Sequence, residues 1–458
     1  MAVVASADDT RPIRDFDELS SVFQHAEKPP SEWRIGAEAE KFAVYAETGA
    51  PLDYAHGVAR IFQALEGVGW QPERENHDGP VIALRRGGAS VTLEPGAQVE
   101  LSGSAFRELH AVSREIDEHL AELVPVSREL GLAWLSVGFH PIALQTELPW
   151  VPKQRYGVMK DYLPTRGYAA HDMMRRTATV QANFDFESEE DAVRKFLVAT
   201  RISPLVHALT ANSPFGERRR WPSKSLRGEV WLHMDPSRSG LVPRMLTSQQ
   251  PRYRDYVEWA LDAGMFLFKR GEAVFFNTGQ TFRSFISDGF QGERATLGDF
   301  RLHLNTLFPE VRLKNTLEVR ACDAQNHALS LAVPALFTGI LYDAKALAEA
   351  EELARPFDLA ALEAARPLLV KDALAAQIAG KPAREFAERL VEIAAGGLSR
   401  RGFANVAGED ETKFLAPLVA LTSHGECPAD RLIAGVEEGA TLGTAELIER
   451  TRLGGPLS

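Results

Sequence analysis

Four short segments of the chain place polar side chains two positions apart. They are Glu38 and Glu40 in Ile35-Gly36-Ala37-Glu38-Ala39-Glu40-Lys41-Phe42, and Gln98 and Glu100 in Ala97-Gln98-Val99-Glu100-Leu101. The others are Gln181, Asn183 and Asp185 in Thr179-Val180-Gln181-Ala182-Asn183-Phe184-Asp185, and Glu318 and Arg320 in Leu317-Glu318-Val319-Arg320. In a strand, alternate side chains leave the same face about 7 Å apart, so each segment presents its polar set on one side. The residues between are mostly apolar (Ala39, Val99, Val180, Ala182, Phe184, Leu317, Val319) and assign the other side to a hydrophobic layer. This pattern predicts a half-buried antiparallel sheet with helices behind and an acidic face in front. Crowded carboxylates repel one another and are costly to desolvate, and divalent cations relieve both costs. All-oxygen donors with amide neighbours suit Mg²⁺ or Mn²⁺ far better than zinc, and Mg²⁺ held this way commonly carries phosphate. One such pair is ordinary for any alternating strand. Four together point to a cradle for metal and nucleotide.

Other chemistries are excluded by what is missing. The chain contains no GxxxxGK[ST], GxGxxG after a strand, HExxH, GxSxG or CxxC pattern. With 51 Lys and Arg against 63 Asp and Glu, the net charge of -12 argues against nucleic acid or an anionic membrane surface as partner. Cys322 and Cys427 stand far apart in sequence, which fits neither a disulfide framework nor a structural zinc site and predicts a reducing compartment. Residues 1–11 lack the basic and apolar regions of a secretory signal, and the longest nearly apolar run, 329–342, is too short to span a bilayer. A cytoplasmic protein is the expectation, as a monomer or homodimer.

These segments need elements to position them. Apolar periodicity predicts strands over 33–45, 81–86, 90–93, 98–102, 132–139, 176–186 and 311–320, and helices over 54–68, 106–130, 156–162 and 189–211. Residues 215–252, rich in Arg, Ser, Pro and Trp, read as a long irregular stretch of the kind that closes over substrates. From 328 to 452 the composition and period are helical throughout. The expected organisation is an α+β catalytic region over 1–345 with a helical region, 346–458, packed on the same domain.

The motifs resemble those of glutamate-cysteine ligase of the plant and proteobacterial type. The likeness rests on Ile35 to Phe42 and on Leu93-Glu94-Pro95-Gly96-Ala97-Gln98-Val99-Glu100-Leu101-Ser102-Gly103. It continues through Pro152-Lys153-Gln154-Arg155-Tyr156, Asp172 to Asp185, Ala211-Asn212-Ser213-Pro214-Phe215, Arg238-Ser239-Gly240, and Phe308 to Lys314 with Leu317 to Arg320, covering about residues 33 to 345. The resemblance implies a glutamine-synthetase-like fold in which an antiparallel sheet forms a funnel for ATP and Mg²⁺. It implies that the γ-carboxylate of L-glutamate attacks the γ-phosphate of ATP, and that the amine of L-cysteine then displaces phosphate from γ-glutamyl phosphate, the first step of glutathione or related thiol synthesis. Positioning and charge neutralisation are the equipment this chemistry requires.

Carried over residue by residue, the resemblance implies Glu38, Glu40, Gln98, Glu100 and Glu318 as metal ligands, with Gln181 and Asn183 facing nucleotide. Arg320 and Glu318 would serve the chemistry, Arg320 by offsetting charge on the phosphoryl group. Arg175 or Arg176 would hold a glutamate carboxylate, and Arg227, Trp231 and Arg238 would close over the amino acids. Two departures stand out. Family members often carry a histidine where this chain has Ala39, and the paired cysteines that plant enzymes use as a redox switch are absent. A related carboxylate-amine ligase that joins glutamate to another amine is the alternative; a non-catalytic protein that kept the fold is disfavoured, because unpaired buried carboxylates are costly without a metal.

Overall fold

The computed structural model describes residues 10–75 and 77–454; most of the 1–11 segment read above for a signal lies outside the described residues. At the centre is a nine-stranded sheet in which every pairing is antiparallel. Its strands are β1 (Ile35–Tyr45), β2 (Gln71–Arg74), β3 (Val81–Arg86), β4 (Ala89–Leu93), β5 (Val99–Ser102), β6 (Leu132–Leu135), β7 (Thr179–Phe184), β8 (Val311–Leu313) and β9 (Leu317–Asp323). The order across the sheet is β8-β9-β7-β1-β5-β4-β3-β2. Strand β1 is long because it serves two partners on one side: its middle residues, Glu38 to Lys41, pair with β5 and its last residues, from Phe42, pair with β6.

Register decides which side chains meet. Glu40 lies opposite Glu100, Glu38 opposite Gln181, Glu318 opposite Asn183, Thr92 opposite Glu100, and Arg312 opposite Glu318. Directly opposed residues share a face, so all of these project from one side of the sheet. The reverse side is mostly apolar, with the buried Lys41 and His119 as polar exceptions. Ala39, Lys41 and Leu101 meet Ile116 and Leu120 of α1 (Leu109–Leu130) there, and also the first turn of the buried helix at His327–Leu341. A histidine at position 39 would therefore face that layer, and its replacement by alanine leaves the acidic face untouched.

Further helices are α2 (Gln154–Tyr162), α3 (Ala170–Arg176), α4 (Glu189–Leu209), α5 (Leu226–Leu232), α6 (His327–Leu341), α7 (Leu359–Asp372) and α8 (Ala383–Arg401). Among the described residues, no single helix is long and apolar enough to cross a membrane. The main hydrophobic cluster runs from Leu19 to Leu453, so the C-terminal helices share one core with the sheet.

Three expectations change. The strand expected over 311–320 is a hairpin, β8 and β9, folded at Lys314-Asn315-Thr316, because short alternating runs look alike whether or not a turn interrupts them. Residues 215–252 contain the helices Leu226–Leu232 and Pro243–Thr247, with Leu226, Arg227, Val230, Arg238 and Met245 buried, so the stretch is less irregular than expected. The helical third includes a small hairpin, Gln377–Ile378 with Lys381–Pro382.

Candidate active site

Glu38, Glu40, Glu100, Gln181, Asn183 and Glu318 form one polar field on the front of β1, β5, β7 and β9. Asn183 donates to Glu38 Oε1 at 2.7 Å, Gln181 to Glu40 Oε1 at 3.4 Å, and the Thr179 backbone N–H to Glu40 Oε2 at 3.0 Å. Thr92 donates its hydroxyl to Glu100, which also shares a hydrogen bond with Glu38. Burial, with the charges of Glu318 and Glu100 beside it, pushes Glu38 up to about 8. Burial and the neighbouring Glu94 and Glu100 hold Glu40 well above the ordinary carboxylate range, and burial with Glu94 also raises Glu100. Among the described residues no three His, Cys, Asp or Glu side chains are drawn together tightly enough to form a metal site as they stand.

Glu318 is different. It is fully buried, yet its carboxylate is held well below the ordinary range, because Arg312, Lys314 and Arg320 outweigh the effect of burial. Arg312 reaches it through Nη2 to Oε1 at 2.8 Å and through Nε to Oε2 at 3.1 Å, Lys314 Nζ lies 2.9 Å from Oε2, and Arg320 Nη1 donates to Oε1. Both oxygens are taken by cations, so the expected metal ligand is instead the anchor of a cation trio. Arg312 and Lys314 stood inside the quoted motif without a role. Their spacing of two, continued by Glu318 and Arg320 across the turn, was the available signal.

The ladder between β7 and β9 breaks between Val319 and Cys322, and this bulge re-aims Arg320. The Arg320 backbone N–H turns to the Glu310 carbonyl at 3.0 Å, while Nη1 also donates to Gln181 Oε1. From α5, Arg227 donates to the freed carbonyls of Arg320 at 2.9 Å and Ala321 at 3.1 Å. It is itself backed by Asp323, whose buried carboxylate accepts from Ser213, Ser225 and the Asn212 N–H. Arg227 is thus a fixed strut of the bulge. A cavity adjoins the field at Glu40, the one member of the field that lines it, together with Glu94, Arg320, Arg227, Trp231 and Phe308 among others.

The remaining expected residues do other work. Gln98 borders this cavity, but its oxygen accepts from Gly96 N–H at 2.8 Å and its amide donates to the Thr177 carbonyl at 2.7 Å. It ties the 94–98 turn to the end of α3 instead of facing a metal. That contact needs Gly96, where a Cβ would stand 2.3 Å from the Arg175 carbonyl oxygen. Arg175 stacks on Trp150 at 4.4 Å and donates to the Leu148 carbonyl. Arg176 lies over Phe139 and pairs with Asp172 and Glu217. Neither borders the cavity, so neither is placed to hold a substrate carboxylate there. Arg238 is fully buried, pairs with Asp235 and donates to the carbonyls of Thr306 and Gly264; it is a structural strut. From the quoted Lys153 to Tyr156 segment, Lys153 and Tyr156 both donate to the Leu93 carbonyl at 2.7 Å, and Lys153 feels the charges of Glu94 and Glu100. Sequence reasoning left them without roles.

Comparison with known proteins now decides the family. The profile of glutamate-cysteine ligase family 2 matches residues 34–447. The chain belongs to that family. It is 36% identical to glutamate-cysteine ligase B, chloroplastic, of Oryza sativa subsp. japonica over 89% of this chain and 81% of that one. The chloroplastic ligase of Arabidopsis thaliana is 34% identical over 94% of this chain and 81% of its own length. A glutamate-cysteine ligase of Francisella tularensis, solved in complex with AMP, shares the fold with a TM-score of 0.51 at 12% identity, covering 92% of this chain and 87% of that one. The large antiparallel sheet with surrounding helices is thus the expected glutamine-synthetase-like ligase fold.

Proposed function

We propose that the protein joins the γ-carboxylate of L-glutamate to the amine of L-cysteine at the expense of ATP, through γ-glutamyl phosphate, as the first step of glutathione or related thiol synthesis. Family membership supports the ligase activity. The observation that carries the site assignment is the set of three carboxylates on one face, Glu100 buried and Glu38 and Glu40 half-buried, with no cation among the described residues bonded to any of them and all with raised proton affinity. Such a donor set lacks positive charge, and its all-oxygen chemistry fits Mg²⁺, or Mn²⁺ in its place. Glu38, Glu40 and Glu100 would hold the metal, which supplies neutralisation of the nucleotide phosphates when bound. Gln98 and Glu318 are left out of this ligand set because their oxygens are engaged elsewhere.

This chain's own residues supply the rest. Arg320, oriented by Glu318 and Gln181, borders the cavity as a preorganised guanidinium for charge spread over a moving phosphoryl group. Arg227 and the bulge keep it there. Asn183 and Gln181 orient the carboxylates through their amide N–H groups. The free, buried Cys322 and Cys427 support the proposed reducing, cytoplasmic compartment and an activity without a thiol switch; burial also pushes the Cys322 thiol up to about 12.

The test is a product assay with glutamate and a panel of amines. ADP and phosphate formed in equal amounts, dependent on both glutamate and cysteine, are expected. Formation of AMP, or a stronger dependence on another amine, refutes this assignment of reaction or acceptor.

A further inference from the structure

Beside β6, the last described residues form a cavity whose charged lining is entirely cationic. Residues 451–453 run along this strand: the Ser136 backbone N–H donates to the Thr451 carbonyl at 2.9 Å, and the Leu453 N–H donates to the Trp134 carbonyl at 2.9 Å. This pairing fixes Arg450 and Arg452 at the end of the helix Thr444–Thr451. The helix Pro428–Leu432, tied down by the Ala429 N–H on the Ala211 carbonyl at 2.9 Å, brings Arg431 to the same place. The three arginines line one open cavity of about 450 Å³, and none of the described residues lining it is acidic. In a chain of net charge -12, three guanidinium groups around an acid-free space form a local field of the opposite sign. The glutamates that approach them stand outside the lining. Glu426 is 3.6 Å from Arg431 Nε, Glu449 is 3.3 Å from Arg452 Nη1 and Glu446 is 3.0 Å from Arg450 Nε. Such solvent-exposed pairs contribute little and yield to a better partner. Arg450 is anchored as well by its Nη1, which donates to the Leu432 and Ala434 carbonyls at 2.9 and 3.2 Å, so its guanidinium is in place before a ligand arrives. Arg431 and Arg452, with side chains 58% and 42% exposed, have the freedom to close on one.

A planar guanidinium meets phosphate or carboxylate oxygens two at a time, and three of them around one space match several negative charges rather than one. We propose that this cavity is a binding site for a small multivalent anion, a phosphate ester or a polycarboxylate, held by Arg431, Arg450 and Arg452. The site is separate from the carboxylate cradle, because none of its lining residues borders the cavity at Glu40. It is also independent of the ligase reading, which assigns these arginines nothing; Arg450 and Arg452 lie beyond the residues 34–447 that the family profile matches.

The experiment is calorimetric titration of pyrophosphate and of citrate, without Mg²⁺, onto the full-length wild type, Arg431→Gln, Arg452→Gln and Arg320→Gln. The two cavity substitutions fall on exposed side chains, and they decide the matter against wild type even if Arg320→Gln does not fold. The expected result is saturable binding of one anion per chain, weakened at least fivefold by Arg431→Gln and by Arg452→Gln and unchanged within twofold by Arg320→Gln. Acetate, with a single charge, should bind wild type at least tenfold more weakly than citrate, and all binding should weaken as salt rises. Tighter binding of pyrophosphate assigns the site to phosphate esters, and tighter binding of citrate assigns it to polycarboxylates. No saturable binding of either anion, affinity left unchanged by either cavity substitution, or binding abolished by Arg320→Gln alone overturns the proposal.

Discussion

Glu38 and Glu318 occupy the same face of the same sheet, each opposite or beside an amide of β7, yet they experience opposite fields. Burial and the charges of Glu318 and Glu100 push Glu38 up to about 8 against the pull of Lys314, whereas Glu318 is surrounded by Arg312, Lys314 and Arg320 and is held well down. Residue type is the same, with Glu318 fully buried and Glu38 half-buried. The difference is made by what the adjacent strand supplies: β5 brings another carboxylate, and β8 brings a guanidinium. One end of the field is therefore short of positive charge and suited to recruit a cation, while the other is already neutralised and suited to hold Arg320 still.

This contrast breaks most visibly at Glu318. Glu318→Gln removes the anion shared by three buried or half-buried cations, and breaking a buried pair by removing one partner costs about 3–5 kcal/mol. We expect a large fall in denaturant midpoint together with loss of turnover. A variant as stable as wild type would show that Glu318 is an ordinary ligand after all.

At the other end the two effects should separate. Glu38→Gln and Glu100→Gln are each expected to lower kcat by at least about 100-fold, the size of one electrostatic stabiliser in a reaction site. Stability without metal should be unchanged or higher, because each substitution relieves repulsion. Thermal melts sharpen the test. Mg²⁺ should raise the wild-type midpoint by preferential binding to the folded state, and this rise should shrink in both variants. Equal Mg²⁺ shifts in wild type and variants would remove these residues from the ligand set.

A smaller effect is expected at the junction of the two regions. Arg320→Lys keeps the charge but loses the planar fork that meets Glu318 and Gln181 together, so kcat should fall about tenfold with little change in the KM for glutamate. The reverse pattern would move Arg320 into substrate binding.

The smallest concerns the turn beside Glu100. Ala97 sits at φ 66°, in the left-handed region that favours glycine. Ala97→Gly should stabilise the protein by up to about 1 kcal/mol and leave activity intact, read by equilibrium unfolding. Destabilisation would mean that the buried Ala97 methyl contributes more packing than its backbone costs.

The alternation of polar and apolar residues around Glu38, Glu100, Gln181 and Glu318 was sufficient to foresee an antiparallel sheet with one acidic face, because the two-residue period of a strand fixes which side chains share a side. The membership of that face was legible for the same reason. Legibility stopped where long-range pairing begins. The turn at Asn315 and the bulge at Arg320 depend on which strand lies alongside, and so the hairpin was read as one strand. The arginines show the limit most clearly: Arg175, Arg176, Arg227 and Arg238 are equivalent in sequence, but Arg238 is consumed by Asp235 and two carbonyls, Arg176 by Asp172 and Glu217, and only Arg227 borders the reaction space. A guanidinium's role is set by the acceptors within a few ångströms of it, and those come from distant parts of the chain. The sequence by itself thus determined the sheet, its acidic face and the class of chemistry. Tertiary structure alone decided which carboxylates have no cation bonded to them among the described residues, and that Glu318 already has three.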